Sequence, residues 1–430
     1  MKSSAPRVDP TRGGEAGSQK AGLLLAQQGG PWLENVEAVV LAQDSRALVR
    51  LCGVSMLERT LRVLQRLGFT SVFIVNASAE AKQELKTPSW PRGKLNLEFA
   101  AEIPRSPNRL FILRGEMYYD PRILNALSQC APPTVAVDSN PPAERRALLS
   151  ETPTRNGAFL CGARLTNSVA IDQSEADAIL DVAGLPAYIG SIRRTIHPLW
   201  FPAPTPEHVR LAEDTILDSA TKGTPDIPSI LQAPVETWIT RHVCRTRVTP
   251  NQVTIFSSLL GLIMTWQFVE GRWWSGALMA VVFGILDGVD GKLARVKVET
   301  TKIGKWEHYI DHALEYSWWL AMAYSLGAAG RVSHAWLFGI MVIAGDLLGK
   351  IVTRPVMAHT GKPSHDFSRF EQRLRLVGGR RDIYIAIFLI GLVIGAPGQA
   401  FAAIGCWSVI TALIQTVRSI YICFFTPRLV

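Results

Sequence analysis

The stretch LDGVDGKLARVKVETTKIGKWEHYIDH, Leu286 to His312, decides how the chain is read. It starts at the end of one apolar run, Trp273 to Leu286, and stops at the beginning of another, Ala313 to Ala329. Its charges therefore sit where two hydrophobic helices would leave a membrane. Asp287 and Asp290 stand at i and i+3, about 60° apart on a helix, so the two carboxylates can converge on one cation. Gly291 and Ala294 fall on the same side and leave room for a ligand against the backbone, and Arg295 offers a guanidinium to phosphate. Ionisable groups abutting a membrane span are costly to keep, and such residues are by default functional candidates.

Outward from this stretch the chain divides in two. With 430 residues, 48% of them apolar and 19% charged, and a mean hydropathy of +0.15, it cannot be a globally disordered protein. The apolar excess lies after Val253 in six runs: Val253 to Phe268, Trp273 to Leu286, Ala313 to Ala329, Ala335 to Val352, Ile383 to Ala396 and Phe401 to Phe425. Several are shorter than the roughly 20 residues that cross a bilayer, so the motif-bearing flanks must complete the second and third. The first and third loops between runs hold Arg272 and Arg331, and the fifth holds no cation. The second holds Lys292, Arg295, Lys297, Lys302 and Lys305, and the fourth seven more cations from Arg354 to Arg381. Positive charge stays inside, which places the amino terminus, the second and fourth loops and the carboxyl terminus in the cytosol, in a multi-pass protein of the cytoplasmic (inner) membrane.

The net charge of +9 invites a nucleic-acid reading, but from Thr249 to Val430 there are 17 Lys and Arg against 11 Asp and Glu, set between hydrophobic runs. Those cations suit an anionic leaflet and phosphate substrates, and no nucleic-acid partner is expected. The six cysteines form no C-x-x-C pair and are expected as reduced core residues.

The pattern D-x2-D-G-x2-A-R-x8-G at Asp287, Asp290, Gly291, Ala294, Arg295 and Gly304 resembles the signature of the CDP-alcohol phosphotransferase family. TPNQVT, Thr249 to Thr254, resembles the sequence with which that family enters its first span, and six spans are also what it shows. The resemblance covers Trp238 to Val430. It implies cleavage of a CDP-alcohol with release of CMP, transfer of a phosphoalcohol to a hydroxyl acceptor, and a divalent metal, Mg²⁺ or Mn²⁺, on acidic residues. Asp287 and Asp290 would hold the metal, and Gly291, Ala294, Arg295 and Gly304 the cytidine diphosphate. The family continues G-x3-D-x3-D, and here His308 and His312 occupy both aspartate positions. Glu307, Asp311 and Glu315 lie nearby, and at 100° per residue all five share an arc of about 140° on one helix.

Three readings stay open. In the first, Asp311 with Glu307 or His308 completes the metal site through a rotated helix, with His312 or Asp311 as the base. Alternatively the histidines keep the family register and alter metal or acceptor preference, or the transferase is impaired and the domain only binds. Arg380 and Arg381, in GGRRDIY, resemble the family segment lining a pocket for a phosphorylated acceptor. Asp346 and Lys350, at i and i+4 with the acid first, read as an internal ion pair outside the site.

Residues 1–35 are rich in Gly, Ser, Pro and mixed charge and are expected to be a disordered tail without an export signal. From Val36, VEAVVLA, SMLERTLRVLQRLG and SVFIVNA read as strand, helix and strand, with FILRGEMYYDP and TVAVD as further strands. An α/β domain with a Rossmann-type sheet should therefore cover 36–204. Its opening resembles the sugar-phosphate nucleotidyltransferases, whose glycine-rich loop holds nucleotide phosphates. Gln43, Asp44, Ser45 and Arg46 stand where glycines belong, and Glu116 replaces an aspartate metal ligand. The resemblance thus implies a kept fold and a lost nucleotidyl transfer. AEDTILDSATKGTPD, Ala212 to Asp226, resembles the linker of fused enzymes that make CDP-inositol and join it to inositol phosphate. A helical linker over 205–248 should end in a juxtamembrane helix at the interface, with Trp238, Arg241, Arg245 and Arg247.

The chain is expected to be a membrane CDP-alcohol phosphotransferase, with the CDP-alcohol, the acceptor and the bilayer as partners and a homodimer admitted as its assembly. The rivals are a bifunctional enzyme with a working cytidylyltransferase, and a non-catalytic membrane anchor.

Overall fold

A run of apolar residues without alternation suits a strand covered on both faces, and β1 (Val36–Leu41) is such a strand, with Ala38, Val39 and Val40 wholly buried. The computed structural model describes residues 36–86, 90–91, 93, 95–167, 178–223, 225–299 and 304–426, excepting the side chains of 304–308. The expected tail 1–35 and the side chains of Glu307 and His308 lie outside the described residues. The sheet also contains β2 (Ser71–Val75), β3 (Asn96–Ala100), β4 (Arg109–Arg114), β5 (Thr134–Asp138), β6 (Thr154–Arg155), β7 (Ala158–Thr166) and β8 (Ala178–Asp181). Their order is β8-β5-β7-β4-β1-β2-β3, with β6 paired to β7. β1 lies between parallel neighbours, Val40 opposite Ile74 of β2 and Leu113 of β4.

Helix α1 (Met56–Leu67) joins β1 to β2, which is the β-α-β unit the sequence predicts. Ser55 caps it by accepting from Glu58 N at 3.2 Å, and Gly68 ends it at φ 101°, a left-handed position that glycine takes without steric cost. Helices α2 (Ala79–Lys86) and α3 (Pro121–Ser128) complete the layer.

The linker is two helices, α4 (Val209–Ser219) and α5 (Ile227–Val243), broken between them by a turn around Gly223 and Pro225. Ile230, Leu231 and Trp238 of α5 are exposed, so one side of this helix is apolar and uncovered. Its other side rests on the membrane domain.

That domain contains α6 (Pro250–Val269), α7 (Trp273–Val296), α8 (Gly304–Ala328), α9 (Ala335–Thr360), α10 (Arg369–Val377), α11 (Arg381–Val393) and α12 (Pro397–Phe425). Each of the six apolar runs falls on one of these helices, and α10 lies in the fourth loop. By length and composition α6, α9 and α12 can cross a membrane; α7 and α8 carry charge at their motif ends, and α11 has 13 residues. Exposed Phe256, Leu262, Trp266, Ile351, Val417 and Phe424 give the bundle an apolar exterior suited to lipid, and the chain associates with the membrane. Inside, Phe283, Trp318, Trp319, Phe388 and Phe401 form its core. Cys52, Cys161 and Cys244 are buried as expected, but Cys406 is exposed, and no disulfide joins described residues.

The two domains share a core. Apolar packing under the sheet continues into Val253 of α6 and Val289, Leu293 and Val296 of α7. Two arginines of α1 complete the joint. Arg59, 1% exposed, donates to the Val296 carbonyl and, at 2.9 Å, to that of Leu51. Arg62 donates to the Lys297 carbonyl at 2.6 Å, pairs with Glu299 at 3.0 Å, and also pairs with buried Glu58. The soluble domain thereby caps the end of α7, whose last carbonyls have no partner within the helix. Arg62→Met should cost about 3–5 kcal/mol by stranding the Glu58 charge, read as a lowered thermal midpoint of the full chain in detergent. An unchanged midpoint would show that the joint is not stabilising.

Candidate active site

Helix α7 brings the motif to the end of the bundle that meets the amino-terminal domain, and its glycines decide what can lie on it. A Cβ at Gly288 would stand 2.4–2.7 Å from the Glu236 carboxyl group, and one at Gly291 would stand 3.3 Å from Nη1 of Arg295. The glycines thus admit α5 and the arginine to the same face as Asp287 and Asp290. Glu236 faces Lys292 Nζ at 3.8 Å, and that ammonium donates to Thr237 Oγ1 at 2.9 Å. Burial raises the Glu236 carboxyl above the ordinary carboxylate range, with Lys292 and Lys222 opposing the shift.

Asp290 is 4% exposed and accepts from Thr254 Oγ1 at 3.0 Å. TPNQVT explains that contact. Thr249 and Gln252 form a reciprocal cap, Gln252 Oε1 accepting from Thr249 N at 2.9 Å, with Pro250 in the first turn. The cap fixes where α6 starts, and one turn later Thr254 meets Asp290. Asp287 accepts from Arg381 Nη2 at 2.9 Å, across from the first residue of α11. Glu315 of α8, buried, and Asp382 lie in the field of the same guanidinium.

Arg295 donates through Nε to the Ala220 carbonyl at 2.7 Å, so the linker orients it. Beside it is Lys222, an exposed lysine whose charged neighbours are Arg295, Asp287, Arg193 and Asp290. Ala294 is part of the same turn of α7, and Gly304 opens α8. Asp311 and His312 are half-buried two turns beyond Gly304, and the His312 ring meets Tyr316 edge-on at 6.1 Å.

A second feature adjoins this face. A cavity of about 250 Å³ opens among α9, α10, α11 and α12, lined by Lys350, His365, Arg375, Arg380 and Tyr384 among others. Arg380 reaches Asp226 at 3.4 Å. Burial and the charges of Arg380 and Arg193 push Arg375 down to about 9, and burial with Arg375, Arg193 and Arg380 pushes His365 down to about 3. Burial and these cations therefore favour the neutral His365 imidazole, which can donate or accept a hydrogen bond. Asp346 and Lys350 are paired as expected, and Tyr316 Oη donates to Asp346 at 2.7 Å, yet both residues line the cavity. Reading that pair as outside the site missed its place in this wall.

Family comparison settles what kind of domain this is. Residues 247–417 belong to the CDP-alcohol phosphatidyltransferase family. The chain carries a CDP-alcohol phosphotransferase domain. Over 413 residues it is 25% identical to the bifunctional IPC transferase and DIPP synthase of Rubrobacter xylanophilus, spanning 84% of this chain and 88% of the relative. The protein of the same name from Aquifex aeolicus is 28% identical over 228 residues, 52% of this chain and 50% of its own. Among solved structures, Mycobacterium tuberculosis phosphatidylinositol phosphate synthase with CDP-DAG bound is 19% identical over 44% of this chain and 94% of its own, with a TM-score of 0.35. The inositol-1-phosphate CTP transferase from T. maritima is 12% identical over 40% of this chain and 90% of its own, with a TM-score of 0.28.

In the amino-terminal domain the loop after β1 is closed by its own side chains. Ser45–Leu48 is a short 3-10 turn capped by Asp44, whose carboxylate takes Arg46 N at 2.8 Å and the Arg46 guanidinium at 2.8 Å. Hydrogen bonding to Arg46 holds the Asp44 carboxyl below its usual range, so this loop carries an anion. Glu116, 3% exposed, is tied to Arg114.

Thr254, Lys222, Glu236, Arg375 and His365 escaped the sequence reading of the site. TPNQVT was a visible signal for Thr254; the others are single polar residues in polar segments and read as solvated.

Proposed function

We propose that the protein transfers a phosphoalcohol from a CDP-alcohol to a phosphorylated hydroxyl acceptor at the cytosolic face of a six-span membrane domain, giving a phospholipid or inositol-phosphate-type product. The acceptor oxygen bonds to the alcohol-side phosphorus, the bond from that phosphorus to the CMP oxygen breaks, and CMP departs. The acceptor proton passes to Asp311 or His312. Arg295, oriented by the linker, meets the diphosphate beside Gly291, Ala294 and Gly304, and Arg380 with Arg381 faces the acceptor side.

Carboxylate oxygens at i and i+3 beside a threonine hydroxyl are the donors a hard divalent ion takes, so the residues fit Mg²⁺ or Mn²⁺. Asp287 and Asp290 would hold it, with Asp311 and either Glu307 or His308 from α8. Among the described residues, which include Asp311 but not the side chains of Glu307 and His308, no three His, Cys, Asp or Glu groups gather into a metal site. When bound, such an ion offsets charge on the diphosphate. The soluble domain, with Asp44 and Glu116 engaged as described, keeps its fold without nucleotidyl transfer.

The observation that carries the acceptor reading is the cationic cavity beside the Asp287–Asp290 face. Planar guanidinium groups bind phosphate oxygens in pairs, so a phosphomonoester on the acceptor is the group that cavity suits. Arg375→Gln should raise the KM for phosphorylated polyol acceptors about tenfold or more, with the KM for the CDP-alcohol unchanged. Equal loss for both substrates would remove the acceptor from this cavity.

A further inference from the structure

Between β8 and the linker the soluble domain extends a hairpin, β9 (Tyr188–Ile189) and β10 (Arg194–Thr195), that reaches the membrane domain. Three contacts fasten it. Tyr188 donates its hydroxyl to Asp366 in the fourth loop, with Lys362 Nζ 5.7 Å from the tyrosine ring. Gly223 N donates to the Ile192 carbonyl at 2.7 Å, and a Cβ at Gly223 would lie 2.2 Å from the Arg193 carbonyl oxygen, so only glycine lets the linker come this close. Arg194 pairs with Asp218 of α4 at 2.9 Å.

The fastened loop presents Arg193. It sits at φ 55°, a left-handed conformation that arginine rarely takes. Its guanidinium lies among Arg380, Asp366, Tyr188 and Asp226, and both Arg375 and His365 feel its charge. Nε of Arg193 and Nε2 of His365 are buried and make no hydrogen bond to described residues. Among these groups Arg380 is held to Asp226, at 3.4 Å. Arg375 and Arg380 line the cavity and Arg193 adjoins them; Asp226 and Asp366 offset part of this charge, and a multiply charged anion among the three guanidinium groups would offset more.

We propose that Arg193 is a phosphate-binding residue of the acceptor site: with Arg375, Arg380 and His365 it encloses the phosphomonoester of the acceptor, and the soluble domain thereby forms one wall of the transferase. This rests on the acceptor reading above. It gives the domain a present task in place of nucleotidyl transfer, and it explains why the hairpin is fastened at three points.

The test titrates inorganic phosphate, and separately CMP, into the full chain in phosphatidylcholine nanodiscs, followed by calorimetry. Arg193→Asn suits the left-handed backbone and should weaken phosphate binding about tenfold or more while leaving CMP binding unchanged, which also shows that the variant is folded. Arg193→Lys, which keeps the charge without the planar fork, should recover part of the loss. If Arg193→Asn binds phosphate like the wild type while Arg375→Gln does not, the proposal falls and the acceptor reading stands. If the wild type takes up CMP but no phosphate, both fall. Discs containing phosphatidic acid separate the sources of the phosphomonoester: competition from the lipid marks a lipid-borne acceptor, its absence a water-soluble one, and either upholds the phosphomonoester that Arg193 is assigned.

Discussion

Asp290→Asn is expected to lower CMP release from a CDP-alcohol about a thousandfold or more, and raising the Mg²⁺ or Mn²⁺ concentration should not restore it. The carboxylate sits at 4% exposure and accepts from the Thr254 hydroxyl. An amide of the same shape keeps the packing and loses the charge. A divalent ion contributes several kcal/mol of charge stabilisation at a reacting phosphate, and each 1.36 kcal/mol is a factor of ten. Asp287→Asn should fall in the same range, because Arg381 would then face a neutral partner as well. Near-wild-type turnover in both variants would remove the acidic pair from the chemistry.

The second large effect is expected on α8, where four single variants separate the readings of its histidines: Glu307→Gln, His308→Ala, Asp311→Asn and His312→Ala. Loss of a general base ordinarily costs about 10²–10⁴ in rate. If the acids alone matter, the helix presents Glu307 and Asp311 to the site, and the two histidine variants stay active. If the histidines alone matter, the family register is kept with imidazole ligands. Only a neutral imidazole accepts a proton or binds a metal, so activity would then decline as the pH falls through the imidazole range, about 6.5 for an unperturbed ring. An imidazole ligand would also favour Mn²⁺ over Mg²⁺, since nitrogen suits the softer ion. Full activity in all four variants would contradict any catalytic role for this segment.

How far the sequence could be read follows from where the information lies along the chain. VEAVVL and the spacing of Leu57, Leu61, Leu64 and Leu67 carry their own periodicity, so β1, α1 and β2 were legible from local pattern. Asp287, Asp290, Gly291 and Arg295 lie within nine residues on one helix, so their convergence needed only helical geometry. What surrounds them comes from afar. Glu236 reaches Gly288 across two helices, Lys222 comes from a turn that breaks an expected continuous linker, and Arg193 comes from the other domain. None belongs to a periodic pattern, and an isolated charge in a polar segment looks the same whether it meets water or a substrate. The Asp346–Lys350 pair shows the converse limit: its helical spacing predicted the ion pair correctly and concealed that the pair lines a cavity.

The most direct measurement is a phosphorus NMR time course on the full chain in lipid nanodiscs, supplied with a CDP-alcohol, a phosphorylated polyol and Mg²⁺ or Mn²⁺. The diphosphate resonances of the donor should disappear in step with the appearance of CMP and of one new phosphodiester, while the acceptor's own phosphomonoester persists. A donor that stays intact across CDP-alcohols and metals, or CMP that appears with free phosphoalcohol and no phosphodiester, would contradict the assignment of a phosphotransferase acting on a phosphorylated acceptor.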